Sequence, residues 1–187
     1  MVFMENVTRM RIRLAILVYV VATLVFAPLA SRAEDRLWLD PERMLGGIAM
    51  IESSGGKFLV GDGGKSLGVH QISREAWEDV NRARSKARLG SYDYDHHVFN
   101  PAINRAFARD YLMILQVRLA EALGKVPAVE QVYASFNMGF ERFAQVGFNL
   151  SRVNPVTRRN SYAVRKSYEN SIPQLASVQV FSHHFSD

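Results

Sequence analysis

Three times in this chain an Asp or Asn stands directly before a proline: Asp40-Pro41, Asn100-Pro101 and Asn154-Pro155. The short polar side chain caps the first unpaired backbone N–H groups. Proline suits the first helical position, because its φ is already helical and its missing N–H would have no partner there. Pro127 opens a further helix, so four of the six prolines mark helix beginnings and confine the chain to punctuated helices. The helix after Pro101 should run to Gly124 with Ile103, Phe107, Ile114 and Val117 on its apolar side. The one after Pro127 carries Val129, Val132, Tyr133 and Phe136 before Gly139 stops it. Ser73 can cap a helix through Trp77 and Val80, fraying in the basic run Arg82 to Arg88. The last helix starts at Pro155, carries Tyr162 and ends before Pro173. Strand signals are confined to a short hairpin between Lys57 and Ile72. The expected fold class is mainly α (α+β), a single helical domain with a small β-hairpin.

One residue breaks the pattern of the first helix. Leu45, Ile48, Ala49 and Glu52 follow the spacing of one buried helical face, and the fourth of them is an acid. Ser53-Ser54-Gly55-Gly56 ends the helix at once, which leaves Glu52 in the last turn, facing inward. A carboxyl group half buried among apolar neighbours resists ionisation. Its raised pKa suits it to general-acid work near neutral pH. The bland alternative is a glutamate fraying into solvent at a helix end. Ten residues on, the glycine-rich stretch from Gly61 to Gly68 supplies a backbone that turns tightly and approaches a ligand closely, and it leads into Val69-His70-Gln71-Ile72.

The order of these pieces carries a resemblance. Glu52-Ser53, then Gly68-Val69-His70-Gln71, then Ala134-Ser135-Phe136-Asn137-Met138-Gly139, then Tyr162, resembles the lysozyme-like lytic transglycosylase family. That family reads Glu-Ser, Gly-Leu-Met-Gln, Ala-Tyr-Asn-Ala-Gly and a late Tyr. The likeness extends from about Asp40 to Tyr168. It implies a lysozyme-like fold and peptidoglycan glycan strands as substrate, cut between N-acetylmuramic acid and N-acetylglucosamine. Glu52 would be the catalytic acid and then base, forming 1,6-anhydro ends without water or cofactor. Ser66, Gln71, Asn137 and Tyr162 would bind substrate or line the cleft, with the Tyr162 hydroxyl near the acid. Val69 and His70 depart from the family's Leu-Met, and Phe136 from its Tyr, which removes a hydroxyl. Asn137 also reads as a helix-end cap, and Tyr162 as core packing with an exposed polar tip.

Asp62 leaves the mechanism open. Asp62 followed by Ser66-Leu67-Gly68 and Gln71 is similar to a pattern of invertebrate-type lysozymes, in which an aspartate is the second carboxylate. Two carboxylates about 5 Å apart would permit retaining hydrolysis. Asp62-Gly63 is equally a favoured pair for a tight turn, and the turn is the simpler reading. A binding or secretion-associated module that keeps the cleft without cutting is the third reading, and Phe136 in place of Tyr feeds it. Adjacent side chains at His96-His97 project apart, so with Asp93 and Asp95 they read as a solvated loop and no metal site is expected. Tyr92 and Tyr94 are candidates for stacking on sugar rings. Arg82 to Arg88 reads as a solvated helix face.

The address comes from the first thirty-three residues. Arg9, Arg11 and Arg13 precede an apolar core from Leu14 to Phe26, and Ser31-Arg32-Ala33 offers small residues at the cleavage positions. The core is shorter than the roughly 20 apolar residues of a spanning helix, so a signal peptide over 1–33 is expected. An uncleaved membrane anchor is the alternative. A domain over 34–173 and a tail over 174–187 follow, exported to the periplasm or beyond. Removing the segment's four Arg and one Glu from the chain's 23 basic and 18 acidic residues leaves 19 and 17, a net charge of +2. That balance gives no argument for nucleic-acid binding. With no cysteine, no disulfide frames the fold. Oligomeric state is not legible.

Overall fold

The computed structural model describes residues 38–171; the export segment and the tail expected from the sequence lie outside the described residues. The compact unit that begins at Leu39 is mainly helical. Its elements in order are α1 (Pro41–Ser53), β1 (Val60–Gly61), β2 (Ser66–Leu67), β3 (Ile72–Ser73), α2 (Arg74–Lys86), α3 (Tyr94–His97), α4 (Pro101–Leu123), α5 (Val129–Met138), α6 (Phe140–Gln145) and α7 (Pro155–Asn170). Single 3-10 turns occupy Asp62–Gly64 and Leu150–Arg152.

The helix starts fall where the caps put them. Asp40 accepts from Glu42 N at 3.0 Å, and Asn100 from Ala102 N and Ile103 N at 3.0 and 3.1 Å. Asn154 accepts from Thr157 N at 2.8 Å, and Ser73 Oγ from Ala76 N at 3.2 Å. The expected hairpin gains a third strand. The sheet is antiparallel in the order β1-β2-β3, with Val60 opposite Leu67 and Leu67 opposite Ile72.

Two helix ends fall where expected, and one buried face needs correction. α2 ends at Lys86, inside the basic run Arg82 to Arg88, and the basic residues of its last turns find partners. Arg82 pairs with Asp79, and Arg84 bonds Asp110 at 2.7 Å and the Gly90 carbonyl at 2.7 Å. Gly139 ends α5, yet the chain restarts at once as α6, whose Phe143 is fully buried. The buried stripe of α4 is Phe107, Ala108, Tyr111, Leu112, Leu115 and Leu119, while Val117 is 47% exposed.

α4 packs against α1, α2 and α5, and α7 lies against both α1 and α5. Trp77 of α2 stacks on Phe107 of α4 at 3.8 Å between centroids and meets Tyr94 edge-on at 5.5 Å. Tyr94 is therefore buried, its hydroxyl donating to the Ile72 carbonyl at 2.9 Å.

Two buried amides on α4 tie the periphery to this core. Gln116 grips Leu39 on both sides, its Oε1 accepting from the backbone N–H at 3.0 Å and its Nε2 donating to the carbonyl at 3.1 Å. Asn104 Oδ1 accepts from the His70 backbone N–H at 2.9 Å and meets His70 Nδ1 at 3.0 Å, while its Nδ2 donates to the carbonyls of Val98 and Leu67 at 3.0 and 3.3 Å. Since Asn104 offers only an oxygen toward the ring, His70 carries its proton on Nδ1, and its buried Nε2 has no partner among the described residues. Burial holds the His70 pKa below the ordinary imidazole value. Gly68 presses so closely on Asn104 Nδ2 and the Val98 carbonyl that a Cβ would collide with both, and its φ of +80° is one that L side chains rarely adopt.

Candidate active site

Glu52 sits in the last turn of α1. Ser54 turns the backbone left-handed at φ 52° and ends the helix. Ser53, almost wholly buried, anchors this end: its hydroxyl lies 2.6 Å from the Val69 carbonyl and accepts from Gly56 N at 2.8 Å. The residue carrying the carboxylate is thus fixed to the turn between β2 and β3 by its immediate neighbour.

Two side chains of α5 meet the carboxylate. Tyr133 donates its hydroxyl to Glu52 Oε1 at 2.8 Å, and Asn137 Nδ2 donates to the same oxygen at 3.2 Å. Four residues apart, they share one face of the helix. Oε2 accepts no hydrogen bond among the described residues, so a proton on this carboxyl belongs on Oε2. Burial pushes the Glu52 pKa above the ordinary 4.5; the bonds from Tyr133 and then Asn137 pull it down, and the charge of Asp62 adds a smaller upward push. Burial wins. The Tyr133 hydroxyl is itself held far above the usual phenol range by burial and by the Glu52 charge, so it stays a neutral donor.

Glu52 lies in an open groove of about 1040 Å³. Such a volume lies at the upper end of the roughly 300–1,000 Å³ of ligand sites and leaves room for an extended ligand. The hairpin supplies one wall, with Asp62, Ser66 and Gln71; the junction of α5 and α6 supplies another, with Asn137, Met138 and Phe140.

The six residues singled out from the sequence do not share one place. Glu52, Asp62, Ser66, Gln71 and Asn137 line the groove; Tyr162 does not. Asp62 is exposed at the first position of the hairpin turn, with φ 49° followed by Gly63 at φ 64°, and it makes no hydrogen bond to Glu52. Ser66 is half-buried on β2. Gln71 is buried with φ 49°, and its Nε2 donates to the carbonyls of Gly68 at 2.7 Å and Phe58 at 3.3 Å. Its Oε1 lies where a Cβ on Gly61 would stand. With both amide hydrogens engaged by backbone, Gln71 can offer a ligand only an acceptor. Tyr162 is 45% exposed on α7, beside the Arg165 guanidinium at 5.4 Å from its ring. The hydroxyl bonded to the acid is that of Tyr133.

Sequence reasoning placed Tyr133 in the apolar stripe of α5 and gave it no role. The signal was there, since Tyr133 precedes Asn137 by one helical turn and must face the same way. Asn137 has a second partner that the sequence did not suggest: its Oδ1 accepts from Thr157 Oγ1 of α7 at 2.7 Å. His96 and His97 do lie close in space to Asp93, but as parts of a cap. Asp93 Oδ1 accepts from His96 N at 3.0 Å and meets His96 Nδ1 at 2.6 Å. Among the described residues no cluster of His, Asp or Glu has the arrangement of a metal site.

Comparison with known proteins finds no family model, no curated protein and no solved structure that matches this chain.

Proposed function

We propose that this chain is an exported peptidoglycan lytic transglycosylase of lysozyme-like fold, with Glu52 as its general acid and base. The observation that carries the reading is the two-sided state of the carboxyl group. Oε1 is held by two donors from α5, and Oε2 is left for a proton beside the groove. Protonated on Oε2, Glu52 donates to the glycosidic oxygen as the C1–O4 bond breaks. The resulting carboxylate, steadied by Tyr133 and Asn137, then takes the proton of the muramyl 6-hydroxyl while O6 bonds to C1. The acid is restored and no water is consumed. Raised pKa serves the first step, and the paired donors serve the second.

A hydrolytic muramidase is the second reading, and Asp62 favours it, as a carboxylate of the same groove whose charge acts on Glu52. Mass spectrometry of the sugars released from purified peptidoglycan separates the two. Anhydro-muramyl ends, one water lighter than reducing ends, are the expected product, and Glu52→Gln should lower release by at least about a hundredfold. Reducing ends would make the protein a hydrolase with Asp62 in the mechanism. No Glu52-dependent release would leave a glycan-binding module.

A further inference from the structure

The hydrogen bond from Thr157 to Asn137 belongs to a longer series with one direction. It begins at a backbone N–H, whose polarity cannot change. Thr157 N donates to Asn154 Oδ1 at 2.8 Å, which turns the Asn154 amide so that its Nδ2 donates to Thr157 Oγ1 at 2.9 Å. The threonine hydroxyl, already accepting there, gives its hydrogen to Asn137 Oδ1 at 2.7 Å. With its oxygen engaged by α7, Asn137 can present only Nδ2 to Glu52. Thr157 is buried, at 3% exposure, where few competing partners reach it.

We infer that Thr157 is a positioning residue for Glu52, its hydroxyl locking the Asn137 amide with the donor toward the carboxylate. An amide free to turn could instead present Oδ1 to Glu52. That orientation repels the carboxylate and accepts from the protonated acid, drawing the proton to Oε1 and away from the groove. The N-terminal cap of α7 thus sets which oxygen of Glu52 carries the proton. The inference deepens the transglycosylase reading and rests on it for its catalytic meaning, but the bond direction itself can be measured without any activity.

The test is a carbon-13 carboxyl NMR titration of Glu52 in the full chain, with Thr157→Val, Thr157→Ser and Asn137→Ala. Valine keeps the shape of threonine and removes the hydroxyl. The Glu52 titration should move to higher pH in Thr157→Val and Asn137→Ala and return to the parent curve in Thr157→Ser. On peptidoglycan, Thr157→Val should lose about fivefold in kcat with KM unchanged, and Thr157→Ser should stay within about twofold of the parent. A Thr157→Val titration superimposed on the parent would overturn the inference, as would an unmoved Asn137→Ala. Should the valine variant fail to fold, Thr157→Ala replaces it. Alanine also removes the hydroxyl, adds no charge and suits a helix, so the same upward shift is expected and a curve superimposed on the parent would overturn the inference. A protein that cuts no peptidoglycan yet shows these shifts would keep the positioning role and lose the enzymatic reading.

Discussion

At the scale of single residues, the site depends on how many donors one oxygen of Glu52 receives. Tyr133→Phe removes the shorter bond and leaves the ring in place. The carboxylate loses a stabilising donor, so the Glu52 pKa rises further. Activity that needs the protonated acid is lost as pH rises through that pKa. The variant should therefore keep its activity to higher pH than the parent while its maximal kcat falls by about tenfold, both readable from a pH–rate profile. Glu52 itself was legible in the sequence, because an acid in an apolar stripe contradicts its surroundings. Tyr133 was not, because an aromatic in such a stripe agrees with them, and its hydroxyl leaves no trace in the spacing. Thr157 was hidden for a different reason. A threonine in the first turn of a polar helix reads as surface until the partner across α5 is known. Tyr162 matched a motif by order alone, and order does not specify the face of α7 on which a residue falls.

At the scale of elements, the helices were legible and the way they pack was only partly so. Caps and prolines are local, and the helices announced by Asp40, Ser73, Asn100 and Asn154 begin where the caps put them, while the one expected at Pro127 begins two residues later at Val129. The buried face of α4 depends on which neighbours pack against it, and it includes Ala108 and Ala120, small residues that carry little apolar signal in the sequence. The strands, of two residues each, are too short to hold themselves together, and the hairpin depends on side chains outside it. Asn104 is the chief of these. Asn104→Ala would leave the His70 N–H and the Leu67 and Val98 carbonyls without their partner. We expect a loss of about 2–4 kcal/mol, measured as a lower urea midpoint. Amide exchange should accelerate first in residues 66–73, before the helices open.

At the scale of the whole molecule, a carboxyl group whose pKa is raised by burial weakens the fold that holds it once it ionises. The folded Glu52 pKa lies above the ordinary 4.5. Between the two values the folded protein holds a proton that the unfolded chain releases. Stability from this group is therefore greatest below the unfolded pKa and falls as pH rises through the folded one. Glu52→Gln removes the titration. Its Tm should exceed the parent's by a few degrees at about pH 8, and the gap should close toward about pH 4. A gap independent of pH would mean that Glu52 ionises in the folded protein as freely as in water. The twelve-residue step from Asn104 to Gln116 carries a last consequence. One amide holds the hairpin that walls the groove, and the other holds the entry to the helix that bears Glu52. Along an α-helix that interval measures roughly 18 Å, and each residue adds a turn of about 100°. α4 is thus a gauge as well as a core, setting by its residue count both the distance between the two anchorages and the angle between them. A single insertion or deletion within 105–115 would swing one amide away from its backbone partner, so the length of this interval is held more tightly than its composition.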